Sequence, residues 1–188
     1  MGANMTFTEW IETVPRAIRD DPVWRVEAYR LALFAGDLAW HDCTKLLSDK
    51  RTIGMADQLN RSAAAISGDI TEGYSRRSGK DQARFYEYGL GSAREARDWY
   101  YKGRHVLGVN VTDHRMELLT RIIKSLLTII PNERGYKMRE DESPYSADQS
   151  HLFDNPPMSD ADQPHVPRLT HHRSTSHAPR TTHHALES

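Results

Sequence analysis

One cysteine, Cys43, among 188 residues leaves no partner for an internal disulfide and no thiolate set for a cysteine-based zinc cage. No apolar run approaches the ~20 residues that span a bilayer, so no membrane partner is expected. The start, MGANMTFTEW, lacks the basic-then-apolar layout of a secretory leader. Its Met-Gly opening places Thr6 without basic company, a poor match to a myristoylation site. A cytoplasmic location is the resulting expectation. An excess of one charge is missing as well. The 25 Lys plus Arg face 26 Asp plus Glu, so the overall balance names no partner.

The distribution of charge is more telling. Residues 24–130 hold 17 basic and 13 acidic side chains, whereas residues 131–188 hold 6 and 9. A mildly basic body is therefore masked by acidic ends. Strand-period alternation is absent over any useful length, while three-and-four spacing of apolar residues recurs. FTEWIETVPRAIRD, residues 7–20, reads as a short helical arm interrupted by Pro15. Asp21 and Pro22 make a helix start, a capping acid followed by proline at the first helical position. A first long helix is expected from Pro22 to Ser48, with Val26, Tyr29, Leu33, Phe34, Leu38, Trp40, Thr44 and Leu47 on its apolar face and Asp37 as the polar exception.

A second helix is expected after Thr52, running to Tyr74 on a seam of Met55, Leu59, Ala63, Ile66 and Ile70. Ser78 and Asp81 form a capping-box-like restart. The third helix then extends from Gly79 to Leu107 and ends at Gly108. Its predicted seam is Phe85, Tyr88, Gly89, Ser92, Ala96, Trp99, Gly103 and Val106. The fourth starts near Asn110 or Thr112 and stops at Pro131, with Leu118, Leu119, Ile122, Ile123, Leu126, Ile129 and Ile130 inward. The fold class is all-α, an antiparallel four-helix bundle. Residues 1–21 are the arm, 22–130 the bundle and 131–188 a tail. Seven of the nine prolines and seven of the ten histidines fall in that tail, whose scattered apolar residues read as mostly disordered.

Candidate chemistry is sparse. Gly89-x-Gly91 lies inside a helix pattern with no preceding strand, so its amides are not available as a phosphate cradle. Small-residue packing is the preferred reading of Gly89, Gly91 and Ser92. Trp40-His41-Asp42-Cys43 places three ligand types consecutively, but neighbours on a helix point about 100° apart and do not converge on a metal. Glu72 and Glu95 read as capping or salt-bridge residues rather than an acid–base pair. The tail pairs His171-His172 and His183-His184 are compositional features without an assigned role. The expectation is no catalytic residue, no metal and no cofactor.

The basic residues carry more. Arg76, Arg77, Lys80 and Arg84 cluster around the turn between the second and third helices. At about 100° per residue from Phe85, Arg94, Arg97, Tyr101 and Arg104 fall near 180°, 120°, 160° and 100°. They form one stripe turned away from the predicted seam. Guanidinium groups with an interleaved tyrosine suit phosphate contact and base stacking. These eight residues are the candidate nucleic-acid contacts. A solvated helix face is the plain alternative.

ADQLNRSAAAISGDITEGYSRRSGKDQARFYEYGLGSARE, residues 56–95, resembles a bacterial four-helix-bundle family. That family includes proteins encoded in intervening sequences of large-subunit ribosomal RNA genes and the accessory variability determinant of diversity-generating retroelements. Ile66, Ile70, Glu72, Gly73, Arg84, Phe85, Gly91, Ser92 and Glu95 stand at matching positions of its motifs, S-I-x-x-N-I-A-E-G and R-F-x-x-x-A-x-G-S-x-x-E. Asp69, Thr71 and Gly89 depart from the usual Asn, Ala and Ala. The resemblance, over about residues 24–130, implies a non-enzymatic homo-oligomer, a ring of five subunits with a basic surface. In the retroelement branch it implies that this surface engages RNA or DNA and a reverse transcriptase. A scaffold docking an acidic protein partner through the same face is the alternative.

Overall fold

The computed structural model describes residues 5–135, 151–154 and 156–159, and among them every regular element is helical. The long helices are α3 (Glu27–Leu47), α4 (Ile53–Tyr74), α5 (Gly79–Leu107) and α6 (Val109–Glu133). Each packs on its neighbour in chain order, and α3 closes on α6. Short connections of this kind force antiparallel neighbours, and the expected four-helix bundle results. The core is aliphatic at its centre, with Leu31, Leu38, Leu46, Leu59, Ile66, Ile70, Leu118, Leu119, Ile122 and Leu126 all buried.

Local chemistry sets the boundaries. Ser78 Oγ accepts from the Asp81 amide at 3.1 Å and donates to the Asp81 carboxylate at 2.7 Å, which starts α5. Gly108, at φ +89°, links α5 to α6 in a single residue, a conformation that glycine adopts without steric cost. Helix α6 therefore begins at Val109, slightly earlier than expected. It also carries Pro131 in its last turn rather than stopping there, since so close to the end hardly any helix follows the turn that the ring disturbs.

The first long helix is the element that differs most from expectation. Asp21 caps as predicted, its carboxylate accepting from the Val23 amide at 2.9 Å, but it caps a 3-10 turn, Pro22–Arg25. Val26 is extended and α3 proper starts at Glu27. Trp40, Thr44 and Leu47 lie outside, not on the inner face, because that face instead runs through Ala35, Ala39, Asp42, Cys43 and Leu46.

The arm forms α1 (Phe7–Thr13) and α2 (Arg16–Arg19), parted at Pro15. A Thr6–Glu9 capping box holds the start of α1. Trp10, 1% exposed, stacks with Phe7 and Trp24 and packs on Phe34. Its indole N–H donates to Asp37 Oδ2 at 2.7 Å, which explains the polar exception on α3. Of the tail, α7 (His151–Asp154) and residues 156–159 pack against α1 and α6. The His171-His172 and His183-His184 pairs lie outside the described residues.

Candidate nucleic-acid interface

Helix α5 is rotated relative to the predicted seam. Its buried residues are Ala83, Tyr86, Gly89, Leu90, Ala93, Ala96, Tyr100, Gly103 and Leu107. On a 100° wheel their mean direction lies roughly 70° from Phe85. Phe85 and Trp99 sit half-buried on the flank and Tyr88 is 45% exposed. The rotation has a physical cause. Tyr100 goes inside because its hydroxyl donates to buried Asp42 Oδ2 at 2.9 Å, while the flanking aromatics find cations at the surface.

This turn divides the eight candidate residues. At the α4–α5 corner Arg76, Arg77, Lys80 and Arg84 are all exposed. The Arg76 guanidinium lies 4.3 Å from the Phe85 ring centroid. Phe85 meets Tyr88 edge to face at 5.6 Å. Arg84 lies 5.6 Å from the Tyr88 centroid, and its Nε donates to the Tyr88 hydroxyl at 2.8 Å. That hydrogen bond to Tyr88 pushes the pKa of Arg84 up from its ordinary value. The outcome is a continuous row, Arg76–Phe85–Tyr88–Arg84, with cations at its two ends and rings between them. Arg76 also pairs with Glu72 one turn earlier, and Tyr74 is exposed beside it.

The rest of the stripe is spread out. Arg94 is exposed, but Arg97 is half-buried and donates to Thr120 Oγ1 on α6 at 3.1 Å. Arg104 folds back on Tyr101, 4.0 Å from its ring, and donates to the Tyr101 carbonyl at 2.7 Å. The rotation brings Arg97 to the α6-facing shoulder instead of the outermost face and leaves Arg104 half-buried. Arg84 and Arg104 are twenty positions apart, roughly 30 Å along the helix. The structure therefore gathers four of the eight residues at one corner and distributes the other four along α5.

Sequence reasoning missed the most heavily buried ionic group. Arg115, 1% exposed, donates from Nε to Asp42 Oδ2 at 2.8 Å, and Asp42 is fully buried. Tyr100 adds a third helix to this junction, and burial pushes its pKa well above the usual phenol range. A signal was present: Asp42 is flanked by Ala39, Cys43 and Leu46, and Arg115 by Val111, Leu118 and Leu119, so both lie on apolar faces. His41 is only half-buried, and the structural polar group of that segment is the aspartate.

The small-residue reading divides too. A Cβ at Gly89 would sit 3.4 Å from Asp69 Cβ and 3.5 Å from the Ile66 carbonyl oxygen, so Gly89 is a packing residue, whereas Gly91 faces open space. Ser92 donates to Asp69 Oδ2 at 3.2 Å. Burial raises the pKa of Asp69, and this hydrogen bond opposes the shift. Glu72 and Glu95 serve different partners, Arg76 and the Trp99 indole. Among the described residues no group of three or more His, Cys, Asp or Glu is placed to hold a metal, and no helix is long and apolar enough to cross a membrane.

The bundle from the first residue of α3 almost to the end of α6 is also what aligns with known sequences. The profile of the family described as 23S rRNA-intervening sequence protein matches residues 27–132. This chain belongs to that family. No curated protein and no solved structure matches it. The match leaves out the arm and the segment at 151–159, so Trp10 and Phe153 lie outside the part shared with other 23S rRNA-intervening sequence proteins, while their partners Phe34, Asp37 and Arg121 lie within it. It includes the whole corner cluster and the buried Asp42–Arg115 pair.

Proposed function

We propose that this 23S rRNA-intervening sequence protein is a non-enzymatic, self-associating adaptor that binds RNA or DNA through the α4–α5 corner. One observation carries the reading: the Arg76–Phe85–Tyr88–Arg84 row, exposed at both cations and at Tyr88, with Arg77 and Lys80 beside it. Guanidinium groups answer phosphates and ring faces accept unstacked bases, the combination that single-stranded nucleic acid requires. One subunit supplies few phosphate contacts. The five-membered ring implied by the resemblance would multiply them without any new chemistry. A ribonucleoprotein, or the reverse-transcriptase complex of a retroelement, is the setting such an adaptor would serve.

A titration of structured RNA against salt tests this. Charge reversal at Arg77 and Lys80, exposed side chains whose replacement leaves the row intact, should weaken binding at least tenfold. It should also flatten the logarithmic salt slope by about 0.7 to 0.9 for each phosphate that is no longer neutralised. Unchanged affinity and slope would remove the corner from consideration. Light scattering on the same samples tests self-association, and a monomer at all concentrations argues against the ring.

A second reading, a scaffold that docks a protein partner, is favoured by a separate feature on an apolar face instead of the basic one. Trp40, 67% exposed, lies with Leu47, Ile53 and Ala56 around an apolar groove of about 310 Å³ on the α3–α4 side. Exposed aromatic and aliphatic side chains together mark protein contact more often than nucleic-acid contact. Capture of a protein partner after nuclease treatment, unaffected by the Arg77 and Lys80 reversals, would favour this reading.

A further inference from the structure

Residues 151–159 meet the bundle at two points. The Phe153 ring lies 5.3 Å from Phe7 of α1 and 4.6 Å below the Arg121 guanidinium of α6. Six residues upstream of Arg121, Arg115 Nη2 donates to the Pro157 carbonyl at 2.7 Å. Pro156 and Ser159 are buried and Met158 is half-buried against the core. The segment thus covers a face made jointly by the arm and α6, with an aromatic anchor at one end and a proline carbonyl on a buried cation at the other.

Three features say that this covering is not part of the bundle's own framework. Arg115 is held without it, since Nε and Nη2 reach Asp42 and Nη1 reaches His114 Nδ1 at 2.8 Å. Withdrawal of Pro157 would remove one acceptor that water can replace. The apolar contribution is small, resting on Phe153, Pro156 and Met158, against the ordering of a whole peptide. The connection is long: residues 136–150 can extend to roughly 50 Å. The return from the end of α6 to Arg115 needs only about 30 Å. Chain length alone therefore does not impose the docking.

The arm is anchored on α3 at Trp10 but leans on the segment at Phe7. Helix α1 has seven residues, too few to be stable alone, and Phe7 shares its contacts between Trp10, Phe34 and Phe153. We propose that residues 151–159 are a releasable strap whose docking on the α1–α6 face holds the N-terminal arm, and that this face is a receptor for the strap peptide. Release loosens the arm and uncovers Phe7, Arg115 and Arg121 while the four long helices stay folded.

The test uses the full chain with Phe153→Ser and, independently, Met158→Asp. Amide hydrogen exchange in residues 7–13 is expected to accelerate about tenfold or more in both variants, with α3 to α6 unchanged. A synthetic peptide of residues 149–161 should bind the Phe153→Ser chain. It should bind wild type at least tenfold more weakly, because the tethered copy competes at high effective concentration. Arm exchange that does not respond overturns the proposal, as does acceleration spread across the long helices, which would make the segment a core element. Failure of the peptide to bind the variant, or equal binding to both chains, overturns the receptor assignment.

Discussion

The Asp42 carboxylate takes a phenol hydroxyl from α5 and a guanidinium from α6 while lying in α3, all beyond the reach of water. Two opposite charges held this way gain from each other what they lose in hydration, so little net stability is expected from the pair as a whole. Breaking it is another matter. Arg115→Met alone strands a buried carboxylate and should cost about 3–5 kcal/mol in urea denaturation. Adding Asp42→Leu and Tyr100→Phe removes the stranded carboxylate and the phenol hydroxyl that met it, and should recover more than half of that deficit. A triple variant no more stable than the single one would show that shape, not charge, holds the junction. Such a pair is worth its risk for register, since it ties three helices at one level and misaligned packings leave both ions unpaired.

Between helices, two glycines at the α4–α5 contact make opposite demands. A Cβ on Gly73 would fall 2.8 Å from the Tyr86 ring and 3.1 Å from the Gln82 carbonyl oxygen, so α4 and α5 approach too closely there for any side chain. Gly73→Ala should therefore destabilise by about 1–3 kcal/mol through overpacking. At Gly89 the nearest atoms are at ordinary contact distance, and the helix gains from a residue with less backbone freedom. Gly89→Ala should stabilise by about 0.5–1 kcal/mol. Thermal melts of both variants check the pair, and the same sign for each would contradict the geometry. These helices were legible because their ends carry local chemistry: Ser78, Gly108, Thr52 and the proline breaks each act within a turn of the boundary. The face of α5 was not. Phe85, Tyr88 and Trp99 look like core residues by type, yet rings of this kind are equally satisfied under a guanidinium. Their placement was decided by Tyr100 and Asp42, 58 positions apart in sequence. Half of the candidate set followed from the Arg76–Arg84 cluster, which needs only a turn to assemble. The α5 stripe needed the helix's rotation, which no local pattern reports.

At the scale of the whole molecule, burial of proton-bearing groups sets how stability responds to alkali. Burial pushes the Cys43 thiol up to about 12, with the neighbouring Asp42 charge adding to it. Burial, assisted by Glu133, pushes Tyr86 to about 12, and burial raises Tyr100 as well. Each group keeps its proton in the folded state at a pH where the unfolded chain has given it up. The folded form thus binds more protons, and stability must fall as pH rises. The stabilisation is complete below the unfolded thiol value near 8.5 and declines progressively towards pH 12. The groups separate by onset. Cys43→Ala should remove the part of the decline that begins between pH 8.5 and 10, and Tyr86→Phe the part that begins near 10. Denaturation midpoints measured from pH 7 to 11 decide this. A flat profile in wild type, or rapid modification of Cys43 by a thiol reagent at pH 8 without unfolding, would mean that the α3–α4 interface opens to water far more readily than its packing allows.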